Sequence, residues 1–216
     1  MQDILARLEK QLGKQFPDIL ENLNPPATLA QIEAFETVIK QKLPDDVKTL
    51  YLWRNGCVSS GINLGSVGEE SKRFLLFSRG RWCGLSEVFE QWRLQNSIAE
   101  GDDYFFTAEE NPEHWESAVI RPWTFPPAYW LPLCRVKWDW WVYVDMLPGK
   151  KGLVGQLVEL WSHGGVYEEV VATGTKAYLL SLTEALERSE LRYDTQNHLW
   201  FNTAADDEFR CIKLSK

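Results

Sequence analysis

The side chains that most often carry metal or nucleophilic chemistry are few in this chain, and their spacing fits no common pattern. The three histidines, His114, His163 and His198, lie about 35 to 50 positions apart and form no HExxH pair. Residues 64–68 contain a serine, but not in the GxSxG order of a nucleophile. Residues 61–68 lack the lysine that ends a phosphate-binding loop. The sequence therefore predicts no catalytic, cofactor-binding or metal-binding residues.

Carboxylates are abundant, and a pair of them could in principle hydrolyse a glycosidic bond. Asp139 and Asp145 are the best candidates, because both are expected on one face of a strand. On that face lie Trp141 and Tyr143, whose rings suit sugar stacking. Six residues of extended chain separate the two Cα atoms by about 20 Å, which exceeds the separation that this mechanism requires. The pair therefore fails as a catalytic dyad, although a hydrolase that uses other carboxylates is an alternative.

The strand predicted over residues 138–145 carries large aromatic rings on both faces. Alternation places Trp138, Trp140, Val142 and Val144 on one face, and Asp139, Trp141, Tyr143 and Asp145 on the other. If helices pack on one face, the other face needs a cover or a partner. We expect the acidic stretch of the chain or its tail to provide that cover, with a protein partner as the other possibility.

Helices are predicted in the first part of the chain. Residues 1–24 carry apolar side chains at helical spacing, which indicates a helical arm. Thr28 can cap the next helix, and Gln31 three residues later completes a capping box. Two further helices, over residues 32–42 and 45–55, each carry one apolar stripe. We expect these two helices to pack as a hairpin.

The second part of the chain is mostly β. Strands are predicted over residues 130–133, 138–145, 154–161 and 170–172, and an edge hairpin within 191–214. We also expect a helix of about ten residues capped by Ser86 and a later helix capped by Thr175. This order indicates an α+β fold, in which N-terminal helices pack on a mostly antiparallel sheet with a C-terminal helix.

The length and composition favour one compact unit. The chain has 216 residues, of which 44% are hydrophobic, and this is enough to bury a full core. We divide it into a helical arm (1–24), an α+β domain (25–187) and a C-terminal extension (188–216) that holds the edge hairpin. Within the domain, residues 100–127 are rich in acidic residues and proline, and we predict that they form an acidic insertion.

Charge and apolar patterning narrow the classes of partner. A net charge of −8 argues against nucleic acid, which needs a basic surface, and suits a basic protein partner. The sequence has no apolar run long enough to cross a membrane and no basic-then-apolar start, so we expect no span and no signal peptide. The four cysteines match no CxxC pattern. We expect them to be reduced, buried thiols in a cytoplasmic protein.

Two sets of short motifs follow one another along the chain. The first set is Leu23-Asn24-Pro25-Pro26-Ala27-Thr28, Ile32, Glu36, Leu43-Pro44-Asp45-Asp46, Leu50-Tyr51 and Asn55-Gly56. The second set is Trp130-Leu131-Pro132, Val144-Asp145, Pro148-Gly149, Gly152 and Gly155-Gln156-Leu157-Val158. In this order, over roughly residues 16–187, the motifs resemble the Smi/Knr-type cell-wall-assembly-regulator family of the SUKH superfamily.

The resemblance implies an α+β domain without a known active site. Bacterial domains of this kind commonly resemble immunity proteins that neutralise toxins of polymorphic secretion systems, whereas fungal relatives resemble signalling scaffolds for wall synthesis. We therefore predict a non-catalytic immunity protein, without a cofactor, that binds a basic toxin domain, with a regulatory scaffold as the alternative. The expected partner-binding residues are Asp139, Trp141, Tyr143, Asp145, Glu109, Glu110 and Glu113.

Overall fold

The structure of the chain is a computed structural model that describes residues 1–58, 81–99, 119–121, 129–137, 140–161, 167–194 and 199–204. The helices are α1 (Gln2–Gln15), α2 (Pro17–Glu21), α3 (Leu29–Ile39), α4 (Asp45–Trp53), α5 (Leu85–Ala99) and α6 (Thr175–Glu187). The strands are β1 (Arg81–Trp82), β2 (Trp130–Lys137), β3 (Trp140–Asp145), β4 (Leu157–Trp161), β5 (Tyr167–Ala172), β6 (Leu191–Asp194) and β7 (Leu199–Asn202). This arrangement confirms the predicted α+β fold.

The first five strands form one antiparallel sheet in the order β1-β2-β3-β4-β5, so that each strand pairs with its neighbour in sequence. In the β2–β3 pair, Trp130 lies opposite Asp145 and Arg135 lies opposite Trp141. Helix α4 packs on the sheet through Tyr51, whose hydroxyl donates a 3.0 Å hydrogen bond to the backbone carbonyl of Cys83. A single core therefore joins the helices to the sheet.

The predicted helical hairpin is confirmed, and a buried carboxylate ties its two helices together. Thr28 and Gln31 form the predicted capping box at the start of α3. Glu36, on α3, is only 4% exposed. Its carboxylate accepts hydrogen bonds from Lys42 Nζ at 2.7 Å and from the backbone N–H of Leu43 at 2.9 Å. It also pairs with Lys48 Nζ, on α4, at 2.8 Å. These contacts fix the turn between the two helices.

The starts of two later helices differ from the prediction. Thr175 is the first residue of α6 and not its cap, because Gly174 occupies the capping position. Asp46, on α4, takes over the capping role, since its Oδ2 atom accepts a 3.0 Å hydrogen bond from the backbone N–H of Lys176. Helix α5 has 15 residues, and Ser86 lies inside its first turn instead of capping it. In both cases a backbone donor at the start of the helix bonds to a side chain that is distant in sequence, Asp46 for α6 and Asn55 for α5.

The C-terminal hairpin forms but does not join the edge of the main sheet. Strands β6 and β7 pair antiparallel in a separate two-stranded sheet. The reason is aromatic packing on the N-terminal arm, where the ring centroid of Phe16 lies 4.9 Å from that of Trp200. Trp200 also packs against Tyr193 at 5.0 Å and is fully buried. The domain boundaries given above stay a prediction.

The pKa of Glu36 yields a test of the helical hairpin. Burial raises this pKa, but the hydrogen bonds from Lys42, Lys48 and the Leu43 amide outweigh burial and lower it to about 2. A carboxylate whose pKa is lower in the folded state stabilises the fold above its unfolded pKa, and this stabilisation is lost as the pH falls through the folded pKa. We expect Glu36→Gln to lower the free energy of unfolding by about 2 kcal/mol at neutral pH.

The loss should shrink as the pH falls from about 5 to about 2, because Glu36 of the unfolded natural chain takes up a proton in this range while the folded carboxylate does so only near its pKa of about 2. Urea unfolding at several pH values measures it. Glu33→Gln, which replaces an exposed glutamate of the same helix, is the control and should change little. A loss in the Glu36 variant that stays constant across this range would contradict the role given to the carboxylate.

Candidate functional site

The structure describes three of the seven residues predicted to bind a partner. Trp141, Tyr143 and Asp145 share one face of β3, as predicted, but they are only 7%, 1% and 0% exposed. The other four, Asp139, Glu109, Glu110 and Glu113, lie outside the described residues, so their partner-binding role stays a prediction.

Tyr143 is covered by helix α5. Its hydroxyl accepts a 2.7 Å hydrogen bond from Gln95 Nε2, and both side chains are buried. Burial raises the pKa of the Tyr143 phenol. The structure shows that a helix covers Tyr143, whereas most of the acidic stretch and part of the tail, which we expected to provide a cover, lie outside the described residues. Tyr143 therefore has a structural role in the contact between α5 and the sheet, and the partner-binding role predicted for it stays a prediction.

A close turn-to-turn contact positions the start of α5. Gly56 has a φ angle of +76°, and a Cβ atom there would lie 2.4 Å from the backbone nitrogen of Gly84. The side-chain oxygen of Asn55 accepts a 2.9 Å hydrogen bond from the backbone N–H of Leu85, the first residue of α5. The Asn-Gly turn after α4 therefore determines where α5 meets the sheet.

Beyond Tyr143, the same face of the sheet opens into a groove of about 630 Å³ between α5 and strands β1 to β3. Trp141 forms part of its lining, and the guanidinium of Arg135 lies 5.6 Å from the centroid of the Trp141 ring. This distance is within the range of a cation–π interaction. Leu94, on α5, also lines the groove and is 52% exposed. The groove thus combines an aromatic ring, a stacked cation and an accessible aliphatic side chain.

Two arginines lie side by side in the groove, and among the described residues only Arg81 has a carboxylate partner. Arg81 and Arg135 are paired in the register of β1 and β2. Arg81 donates two hydrogen bonds, of 2.7 and 2.8 Å, to the carboxylate of Glu87. Within the described part of the chain, no carboxylate forms an ion pair with Arg135. Together with Arg93 and Glu90, the groove has three arginines against two glutamates, in a chain whose net charge is −8.

The groove also contains a thiol, Cys83. Burial raises its pKa to about 12, so the thiol is protonated at neutral pH. A protonated, buried thiol is a poor nucleophile, and Cys83 is therefore a packing residue. Across the residues that the structure describes, no group of His, Cys, Asp and Glu is placed to hold a metal ion.

Asp145 belongs to a buried network with Gln156. Its two carboxylate oxygens accept hydrogen bonds from the backbone N–H of Leu147 at 3.0 Å and from Gln156 Nε2 at 2.9 Å. Gln156 Nε2 also donates to the carbonyl of Val119 at 3.1 Å, while its oxygen accepts from the backbone N–H of Leu153 at 3.1 Å. Burial raises the pKa of Asp145, although these hydrogen bonds oppose the rise. Asp145 therefore has a structural role in this turn, and the partner-binding role predicted for it stays a prediction.

This network shapes the turn between β3 and β4 and holds a distant segment against it. The backbone N–H of Gly149 donates a 3.1 Å hydrogen bond to the carbonyl of Val119. A Cβ atom at Gly152 would lie 2.2 Å from the same carbonyl, so only glycine fits there. Gly155 has a φ angle of +90° and approaches Pro44. The turn therefore holds Val119 close through its carbonyl.

The sequence did not indicate that Leu94 and Arg135 would line a groove. The strand predicted over 130–133 ended before Arg135, whereas β2 continues to Lys137. Leu94 lies within the helix predicted after Ser86, but helical spacing alone did not show that it would be exposed beside the sheet. A longer predicted strand would have placed Arg135, but neither the helical nor the strand pattern indicates a groove.

These features define an α+β domain, in which helices pack against an antiparallel sheet. The side chains that line its groove are largely paired with one another already, and such a groove is suited to binding. The chain belongs to the SMI1 / KNR4 family (SUKH-1), whose family model matches residues 26–181. This confirms the resemblance found in the sequence and supports a non-catalytic, SUKH-type domain that interacts with proteins. A comparison with curated proteins gave no match. Among the described residues, no helix is both long and apolar enough to cross a membrane.

The buried network yields a second test. Gln156→Glu would place a second carboxylate against Asp145 and remove the donor that Asp145 uses. We expect the free energy of unfolding to fall by about 3 kcal/mol at pH 7, because two buried carboxylates cannot both ionise at this distance. Their folded pKa would be raised, so the variant should regain stability as the pH falls from about 7 to about 5.

Urea unfolding of the variant and of the natural chain at both pH values measures this difference. Gln41→Glu is the control, since Gln41 is an exposed amide just after the end of α3. Equal losses at pH 7 and pH 5 would contradict the proposed contact between the two carboxylates.

Proposed function

We propose that this chain is an immunity protein that binds and neutralises a toxin in the cytoplasm, and that the groove beside α5 contacts the toxin. The observation that carries this proposal is the groove itself, with Trp141, Arg135 and Leu94 in its lining. Tryptophan and arginine are the residue types that most often dominate the binding energy of protein interfaces. Membership of the SUKH-1 family supports protein binding as the mode of action.

The contacts within the groove support a prearranged interface. Arg135 is already stacked on Trp141, and Arg81 is already paired with Glu87. Side chains held in one conformation lose less entropy when a partner binds. Leu94 provides accessible apolar area beside them. The groove can therefore give a partner both apolar contact and directed hydrogen bonds.

The charge of the whole chain supports a basic partner. A net charge of −8 would speed the encounter with a basic toxin domain through long-range attraction. The groove differs from the rest of the chain, because its arginines outnumber its glutamates. A toxin that fits would be basic overall and would present an acceptor group to Arg135.

The test replaces Leu94, because its exposure allows a change without disturbing the core. Leu94→Glu should weaken binding to the cognate toxin by at least about tenfold, since it puts an unpaired charge into the interface. The toxin to use is the product of a gene beside the one that encodes this chain. Binding is measured by titration calorimetry, and protection by growth of cells that express the toxin.

Val38→Glu is the matched control. Val38 is an aliphatic residue on α3, is 49% exposed and lies outside the groove. This variant should bind and protect like the natural chain. If no neighbouring gene product binds, or if both variants bind equally well, the proposal fails.

A further inference from the structure

Helix α3 carries apolar side chains on both of its sides. Seven of its eleven residues are apolar, and three of these, Ile32, Phe35 and Ile39, are buried in the core. The other four are exposed on the outer side of the helix, and they are Leu29, Ala30, Ala34 and Val38. Leu29 is 64% exposed and Val38 is 49% exposed. A surface helix usually has one apolar stripe, whereas a helix that is apolar all round is usually covered on both sides.

Two charges of opposite sign lie on the same outer side. Glu33 and Lys40 are exposed and are seven positions apart, which is close to two helical turns. Within the described part of the chain, neither forms an ion pair. Glu33 also attracts Lys42, but the ammonium of Lys42 already bonds to the buried Glu36 at 2.7 Å. We call seven exposed residues the outer face of α3, namely Leu29, Ala30, Glu33, Ala34, Thr37, Val38 and Lys40.

A second copy of the chain matches both the apolar residues and the charges of this face. Two α3 helices can pack antiparallel about a two-fold axis that passes midway between Glu33 and Lys40. Glu33 of each copy then faces Lys40 of the other, so the ion pair forms twice. The same arrangement places Ala34 of one copy beside Val38 of the other. Small side chains at the contact allow the two helix axes to approach to about 8 Å.

We infer that the outer face of α3 binds a second copy of this chain in a weak antiparallel dimer. The inference goes beyond the proposed function and does not depend on it. No residue of α3 lines the groove, so the dimer leaves the groove open to a toxin.

The size of the contact and the charge of the chain both limit the strength of the dimer. Helix α3 is only about 16 Å long, so two such helices bury less than a standard interface. The net charge of −8, which counts every acidic residue of the chain, makes two copies repel one another. We therefore expect a dissociation constant of roughly 100 μM.

Sedimentation equilibrium of the full chain, from about 5 to about 500 μM, tests the inference. A salt concentration of about 0.15 M screens charges that are more than about 8 Å apart. The natural chain should be a monomer at the lowest concentration and largely a dimer at the highest. Glu33→Lys or Lys40→Glu puts like charges together at both symmetric contacts, and each should weaken the dimer by at least about tenfold.

A mixture of these two variants is the decisive sample. In a mixed dimer, the two positive positions of one chain face the two negative positions of the other. An equimolar mixture of Glu33→Lys and Lys40→Glu chains should therefore associate, although each variant alone does not. This rescue also shows that both variants are folded, and urea unfolding checks it independently.

Two further variants make the result specific. Lys14→Glu changes an exposed lysine of α1 by the same charge as Lys40→Glu and should leave the dimer unchanged. Val38→Glu should abolish the dimer, because it puts a charge beside Ala34 of the other copy, and should still bind the toxin.

Three results would overturn the inference. The first is a natural chain that stays monomeric up to about 500 μM. The second is a dimer that neither charge reversal weakens, or a mixture of the two variants that fails to associate. The third is a dimer that Leu94→Glu abolishes, since the groove would then be the interface. Loss of toxin binding with an intact dimer would count against the proposed function alone.

Discussion

A polar side chain that is removed from water must find all its partners within the protein, and this constraint organises the domain. The carboxylate of Asp145 bonds to Leu147 and Gln156, and Gln156 in turn bonds to Val119. Glu36 meets the same requirement between α3 and α4. Each of these networks joins segments that are separate in sequence, so losing one partner would leave a buried charge or donor unsatisfied.

Periodicity predicted the elements of this fold better than it predicted their surroundings. Helical spacing located α1 and the α3–α4 hairpin, and alternation correctly placed Trp141, Tyr143 and Asp145 on one face of β3. Alternation reports which face a side chain occupies, but not what covers that face. The cover over Tyr143 comes from Gln95 on α5, 48 positions earlier in the chain. Such a contact depends on tertiary packing and leaves no local pattern in the sequence.

The same limit applies to helix starts and to the candidate site. A local rule assigned the cap of α6 to Thr175, whereas Asp46 provides it from 130 positions away. The groove requires α5, β1 and β2 to meet, and Arg135 becomes part of it through the pairing of β2 with β3. The sequence contained all of these residues. The sequence alone does not show which of these residues lie close together in space, because that depends on the folded arrangement.

The residues that identified the family and the residues that form its candidate surfaces are different sets. The motif residues Glu36, Asp46, Tyr51, Asn55, Asp145, Gly152 and Gln156 make the internal contacts that hold helices and turns together. The accessible side chains, Leu94 in the groove and Leu29 and Val38 on α3, lie outside those motifs. A binding domain needs a fixed framework, and its partner is chosen by the side chains that the framework displays. The motifs can therefore identify the framework, while the choice of partner depends on positions that they do not include.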